Sequence, residues 1–173
     1  MTKILFLDCD GTIREPKSGA KFISAPEDQK IIKGADKAIA NYAALGYTII
    51  GVSNQGGVGA GHKSLSDCIA EQAETLKLLP QIQAIYFCPD FEGNNCWYVS
   101  PDRNFQIRSS KLRGKFRKPD AGMVVYALWC KPEVELSNCL MVGDRFEDEA
   151  AAAAAGVQFL WAADWIEQAG WSE

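Results

Sequence analysis

Asp8 and Asp10 stand two residues apart, directly after the apolar run Ile4-Leu5-Phe6-Leu7. Such a run reads as a buried strand, so the carboxylate pair falls where the strand ends. In open α/β sheets, ligands bind at the carboxyl ends of strands. Side chains at i and i+2 of an extended chain lean to one side. Like charges that close repel, and a shared proton or a metal cation relieves them. A cation frees one carboxylate to attack and leaves the other to move protons. A plain strand-ending turn is the competing reading, since Asp10-Gly11 is ordinary turn chemistry.

Three further sites fall at strand ends or at a helix start: Ser53 with Asn54, Lys118 before Pro119, and Asp144 with Asp148. Each alone reads as a turn, a surface charge or a helix cap. Together they supply a nucleophile, a proton donor, a hydroxyl for a phosphate oxygen, a fixed cation and a metal ligand. Phosphoryl transfer requires that inventory, because its transition state spreads negative charge over three oxygens.

The elements that must position these groups alternate. Strands are expected at Lys3 to Leu7, Tyr47 to Val52, Ala84 to Cys88, Cys139 to Val142 and Val157 to Trp161. Helices are expected from Gly34 to Leu45, stopping at Gly46, and from a Ser64 or Ser66 cap toward Leu79. Asp120 to Cys130, Glu147 to Ala155 and a short terminal segment complete the helices. The alanines from Ala150 to Ala155 are strong helix formers, and their small side chains let a helix lie close to a sheet. Thr12 to about Lys33 reads as a loop or flap, and Gly56, Gly57, Gly59 and Gly61 as a flexible loop. The segment at about 89–117 reads as long and irregular. Alternating strands and helices imply an α/β fold, a doubly wound parallel sheet with helices on both faces. With no linker and no internal repeat, residues 1–173 are expected to form one domain.

At 173 residues the chain can bury a real core. Its hydrophobic content of 47% and charged content of 23% are those of a soluble globular protein. A net charge of −4 argues against a generic nucleic-acid coat protein. The six cysteines are scattered through apolar segments and read as reduced core residues. The chain opens directly on a strand, with neither a signal peptide nor a transmembrane stretch, so a cytoplasmic protein without a membrane partner is expected. Between Arg103 and Lys118 lie seven of the 18 Lys and Arg residues and no acidic one. That run is either a solvated loop or a rim that attracts a phosphate-bearing ligand.

The motifs resemble those of the haloacid dehalogenase superfamily of phosphohydrolases. Asp8-Cys9-Asp10-Gly11-Thr12 matches its first motif, Val52-Ser53-Asn54-Gln55 its second, Arg117-Lys118-Pro119 its third and Gly143-Asp144-Arg145-Phe146-Glu147-Asp148 its fourth. Ser53-Asn54-Gln55-Gly56-Gly57 and the stretch from Phe116 to Met123 are similar to the histidinol-phosphate and heptose bisphosphate phosphatase subfamily. Polynucleotide 3′-phosphatases share a similar Arg-Lys-Pro segment. The resemblance implies a Rossmann-like fold with no large cap domain. It implies Asp8 as the nucleophile that forms an aspartyl-phosphate, and Asp10 as acid and then base. Mg²⁺ is then held by the Asp8 carboxylate, the Asp10 carbonyl and Asp144. Ser53 and Thr12 contact the phosphate, and Lys118 neutralises charge on Asp8 and the phosphoryl group. Asp148 and Arg145 support the metal and Lys118 from behind. Asn54 and Arg117 are the candidate substrate contacts.

Relatives of this subfamily carry a zinc loop that starts Cys-Pro-His and ends Cys-x-Cys. Here the start reads Cys88-Pro89-Asp90 and the end Gly114-Lys115-Phe116. Cys88 and Cys96 without further partners make a poor tetrahedral site, so structural zinc is not expected. Packing of Phe91, Trp97, Tyr98 and Phe105 is the alternative means of ordering the loop.

Other chemistries fit less well. The single histidine, His62, sits in a Gly-rich loop, and Gly51-Val52-Ser53-Asn54-Gln55 lacks the second glycine of a nucleophile elbow. No G-x-x-x-x-G-K-[ST] loop occurs, and the glycines after residue 55 do not match G-x-G-x-x-G. A phosphoacceptor signalling domain shares the aspartates, the hydroxyl, the Lys and Mg²⁺. Here, however, the acidic pair itself opens the motif, Asp10 is in place as an acid and base, and Asp144 follows Lys118, an order that favours turnover. The expected reaction is phosphomonoester hydrolysis. A small sugar or polyol phosphate, of heptose bisphosphate or histidinol phosphate type, is the first substrate reading. A 3′-phosphorylated nucleic-acid end is the second.

Overall fold

The structure is a computed structural model that describes residues 2–170. Strand β1 (Lys3–Leu7) leads into a flap whose stem is a two-stranded ribbon, β2 (Arg14–Glu15) and β3 (Lys30–Ile31). Helix α1 (Ala35–Ala44), strand β4 (Tyr47–Asn54), a single helical turn α2 (Gly56–Gly59) and helix α3 (Leu65–Leu78) follow. Next come strands β5 (Ile82–Cys88), β6 (Cys96–Val99) and β7 (Asn104–Ile107), then helix α4 (Gly122–Trp129). Strand β8 (Cys139–Gly143), helix α5 (Phe146–Ala155), strand β9 (Gln158–Trp161) and helix α6 (Ala162–Gly170) complete the described residues.

Seven strands form one sheet in the order β7-β6-β5-β4-β1-β8-β9. The five from β5 to β9 run parallel, and β6 and β7 add an antiparallel hairpin at one edge. β1 sits at the centre between β4 and β8, which is why Ile4, Leu5, Phe6 and Leu7 are all completely buried. Successive side chains of a strand point to opposite faces. Leu5 and Leu7 accordingly join Ala38, Ile39, Leu76 and Trp165 on one face, and Ile4 and Phe6 join Met123, Val124, Ala151 and Ala152 on the other. Helices therefore cover both faces, as the alternation of elements implies. Ala151 and Ala152 are buried, so the small side chains of α5 do form its sheet-facing side.

Two expectations are corrected. The glycines after β4 do not form an open loop: residues 56–59 close into one helical turn, and Gly59 N–H donates to the Pro89 carbonyl. The 89–117 segment is not irregular throughout. Its middle folds into the β6–β7 hairpin, whose Tyr98 ring stacks on Phe105 at 4.8 Å and meets Tyr86 edge-on at 5.2 Å. The period-two signal was hidden because an edge strand with one solvent face carries Asn104 and Gln106 among its apolar residues. Among the described residues, no helix is long and apolar enough to cross a membrane.

Candidate active site

The groups singled out in the sequence converge at the carboxyl edge of β1, β4 and β8. Asp8 directly follows β1, Ser53 and Asn54 end β4, and Asp144 directly follows β8. Lys118 comes from the segment before α4, and Asp148 from the first turn of α5.

Lys118 organises the floor of the site. It is 110 residues from Asp8 in sequence, yet its Nζ donates to Asp8 Oδ1 at 2.7 Å. The same ammonium donates to Asp148 Oδ1 at 2.7 Å and to the Val52 carbonyl at 2.8 Å. An ammonium has three N–H donors, and all three are used. Burial alone would push this lysine's pKa down, but Asp8 and Asp148 outweigh it and hold the group charged. Asp148 Oδ2 accepts from the Arg145 N–H at 3.1 Å, so both oxygens of Asp148 have partners inside the protein. The Arg145 side chain itself is exposed.

The opposite oxygen of Asp8 accepts from the Thr12 hydroxyl at 3.1 Å, which also lies 3.4 Å from Asp144 Oδ1. The single hydroxyl proton of Thr12 is directed at Asp8, so in this structure it orients the carboxylates in place of the phosphate contact that the motif implies. Gly11 makes the turn possible. Its φ of +82° is left-handed, and a Cβ there would run into the Asp144 carboxylate.

Carboxylate oxygens of Asp8, Asp144 and Asp148 lie within 4.8 Å of one another. Three acids with one nearby ammonium leave the cluster short of positive charge. Burial, a hydrogen bond shared with Asp8 and the charges of Asp8 and Asp148 push Asp144 up to about 7. Hard oxygen donors with uncompensated charge suit a hard divalent cation. Asp148 is buried and held by Lys118 and Arg145, whereas Asp144 is exposed and open to a ligand; Asp8, although held by Lys118 and Thr12, keeps a second lone pair on each oxygen for a cation.

Asp10 points away from this cluster. Arg14 donates to it through Nε at 3.0 Å and Nη2 at 3.3 Å, and Gln55 Nε2 donates to Oδ2 at 2.7 Å. Burial opposes charge on Asp10, but Arg14 and Gln55 outweigh it and hold the carboxyl below the usual range. The Asp10 side chain is nevertheless 42% exposed, so it borders the cleft. The same Gln55 nitrogen donates to Ser53 Oγ at 2.8 Å. With its acceptor side filled, the buried Ser53 hydroxyl keeps its proton for another acceptor.

Asn54 does something other than the substrate contact expected of it. Its amide bonds the Lys118 backbone reciprocally, Nδ2 to the carbonyl and N–H to Oδ1, both at 2.9 Å. Both ends of the amide are spent on fixing the loop that carries Lys118. Arg117 lies over the Phe91 ring, with its guanidinium carbon 4.9 Å from the centroid and Nη1 against Gly56. That Nη1 is buried without a hydrogen-bond partner. The basic run is divided: Arg103 lies over Phe105 on the edge hairpin, Arg117 lies over Phe91, and Lys118 reaches the site. Cys88 and Cys96 are buried with free thiols. His62 is exposed.

Sequence pattern singles out neither Gln55, the last residue of its motif, nor Arg14, a charged residue in a flap. The one local sign of Arg14 is its position four residues after Asp10.

Comparison with known proteins agrees with this geometry. A model of the family described as polynucleotide kinase 3 phosphatase matches residues 3–159. The D-glycero-alpha-D-manno-heptose-1,7-bisphosphate 7-phosphatase of Burkholderia mallei is 30% identical over 160 residues, spanning 90% of this chain and 76% of that protein. The protein of the same name from Campylobacter jejuni is 30% identical over 165 residues, spanning 92% and 81%. The crystal structure of D,D-heptose 1,7-bisphosphate phosphatase from B. bronchiseptica, complexed with magnesium and phosphate, superposes with a TM-score of 0.67. It is 25% identical and the match covers 91% of this chain and 79% of that one. With four motifs gathered at one sheet edge and a family model matching nearly its whole length, the chain belongs to the polynucleotide kinase 3 phosphatase family of the haloacid dehalogenase superfamily.

Proposed function

We propose that this phosphatase hydrolyses a small sugar phosphate of the heptose bisphosphate type, by way of an aspartyl-phosphate on Asp8. The observation that carries the mechanism is the fixing of Asp8 between Lys118 and Thr12, beside an Asp10 that borders the cleft. An Asp8 oxygen attacks phosphorus as the bond to the leaving oxygen breaks, and Asp10, which has first taken a proton from solvent against the pull of Arg14 and Gln55, gives that proton to the leaving oxygen. Asp10 then takes a proton from water as the water oxygen bonds phosphorus and the Asp8–phosphorus bond breaks. Asp8 is restored and inorganic phosphate leaves. Dividing the reaction this way replaces one hard step with two easier ones. Ser53 donates to a phosphoryl oxygen, and Lys118 balances the charge that builds on Asp8 and phosphate.

Mg²⁺ fits the donor set, with Asp8 and Asp144 as its carboxylate ligands and the Asp10 carbonyl as a third. When bound it polarises the phosphoryl group and offsets the crowded carboxylates. The sugar reading is supported by the names of the relatives from Burkholderia mallei and Campylobacter jejuni, and by the net charge of −4. Arg117, half-buried next to Lys118, is the candidate for a second anionic group of the substrate.

A second reading, a 3′-phosphorylated nucleic-acid end, is favoured by the exposed Arg108, Lys111, Arg113 and Lys115 leading to the site. One panel separates the two. It measures Mg²⁺-dependent phosphate release from sugar phosphates and bisphosphates, histidinol phosphate, nucleotides and 3′-phosphorylated oligonucleotides. Release concentrated on a sugar bisphosphate is expected. Release concentrated on the oligonucleotide, with affinity falling steeply as salt rises, overturns the sugar reading in favour of the second. Release from none of them overturns both.

A further inference from the structure

Arg14 is completely buried, which is costly for a guanidinium unless every donor face is matched. Its match on one side is Asp10, held through two of its nitrogens. The planar fork of an arginine constrains the plane of the carboxylate it binds, a constraint a lysine point charge does not supply. On its other side, Arg14 Nη1 donates to Thr75 Oγ1 of α3 at 2.6 Å. The Thr75 hydroxyl in turn donates to Gln29 Oε1 at 2.5 Å. Gln29 lies in the flap just before β3, is buried, and donates to the carbonyls of Pro26 and Glu71 at 2.7 and 3.1 Å. The Arg14 backbone belongs to β2, and its carbonyl accepts from Gly11 N–H in the catalytic loop. A chain of hydrogen bonds, buried at Gln29, Thr75 and Arg14, thus runs from the flap, through α3, to the part-exposed Asp10 carboxylate.

Arg14, Thr75 and Gln29 are buried and meet the reaction only through Asp10. Asp8 is held separately, by Lys118 and Thr12, so the two catalytic aspartates have independent supports. We infer that Arg14 is a positioning residue for Asp10, which fixes the direction its carboxylate faces and ties that direction to α3 and the flap. The inference rests on the phosphatase mechanism above and adds a residue outside all four sequence motifs.

Its consequence is specific to proton transfer. Expulsion of an alkoxide needs a well-placed acid, whereas p-nitrophenolate leaves without one. General acid catalysis is worth about 10²–10⁴-fold where it operates. Loss of Asp10 alignment therefore affects kcat/KM for an alkyl phosphate far more than for an aryl phosphate. A role in folding alone lowers both together, since it changes only the amount of active enzyme.

The experiment compares full-length Arg14→Met with the parent enzyme. The substrates are p-nitrophenyl phosphate and the alkyl phosphate that the parent cleaves best. Thermal melts run alongside. The expected result is a fall of at least about 30-fold in the alkyl-to-aryl ratio of kcat/KM, with the aryl value within roughly threefold of the parent. Thr75→Val keeps Arg14 but cuts its anchor, and should move the ratio the same way by a smaller factor. It also serves if Arg14→Met does not fold. An unchanged or raised ratio in the folded variants overturns the inference while leaving the phosphatase reading intact. A parent enzyme that cleaves neither substrate overturns that reading and the inference with it.

Discussion

Asn54 and Lys118 lie 64 residues apart, yet the amide of one bonds the backbone of the other twice, each bond 2.9 Å long. This clamp ties the end of β4 to the loop that aims the lysine ammonium at Asp8. It gives Asn54 a hold, through the backbone of Lys118, on the charge beneath the nucleophile.

Asn54→Ala should accordingly lower activity through Lys118. It leaves a backbone N–H and a carbonyl without their partner, which costs about 1–3 kcal/mol of stability. Displacing the ammonium should lower kcat roughly 10- to 100-fold, because small misplacements of a catalytic group are expensive. Steady-state kinetics with a thermal melt checks this. A variant that melts early but keeps full kcat would show that the clamp serves only stability.

Asp8→Asn should abolish phosphate release and keep the fold. Lys118 retains Asp148 and the Val52 carbonyl as partners, so no buried charge is orphaned. Phosphate release and the melting temperature are the readouts. Substantial remaining turnover by Asp8→Asn removes Asp8 from the nucleophile role.

Gly11→Ala addresses the metal. The new methyl meets the Asp144 carboxylate in a left-handed backbone conformation, so Asp144 must move. The Mg²⁺ concentration for half-maximal activity should rise roughly 10- to 100-fold, the usual effect of disturbing a ligand's support. Mg²⁺ titration of activity, repeated by calorimetry, tests it.

Thiol chemistry provides a check on the core. Cys9, Cys68, Cys88, Cys96 and Cys139 are buried, whereas Cys130 is exposed. Burial pushes the thiols of Cys9, Cys68 and Cys88 up to about 12, so they stay protonated and unreactive at neutral and mildly alkaline pH. A chromogenic disulfide reagent at pH 8 should titrate Cys130 quickly in the native protein and all six thiols after denaturation. Fast reaction of a second thiol would mean that the core around β1 or β5 opens readily.

Much of the fold and site was legible in the chain because it depends on local pattern. The apolar run from Ile4 to Leu7 had to be buried on both faces, so it had to be central, and Asp8 had to emerge at its carboxyl end. Asp8, Ser53, Lys118 and Asp144 could be chosen because residues of those types each directly follow, end or precede a regular element. The sequence also determined that α5 lies close to the sheet, through Ala151 and Ala152. What it could not determine were partnerships that exist only after the chain closes on itself. Arg14 is a charged residue in a segment that reads only as a loop or flap. It is buried because Asp10 and, 61 residues away, Thr75 offset the cost of taking its charge out of water. Asn54 and Thr12 read as substrate contacts, but folding turned the amide to Lys118 and the hydroxyl to Asp8. The hairpin of β6 and β7 depended on an edge of β5 being free to pair, which is a property of the whole sheet. Residue type and spacing named the chemistry; tertiary structure decided which polar groups face the reaction and which hold the others in place.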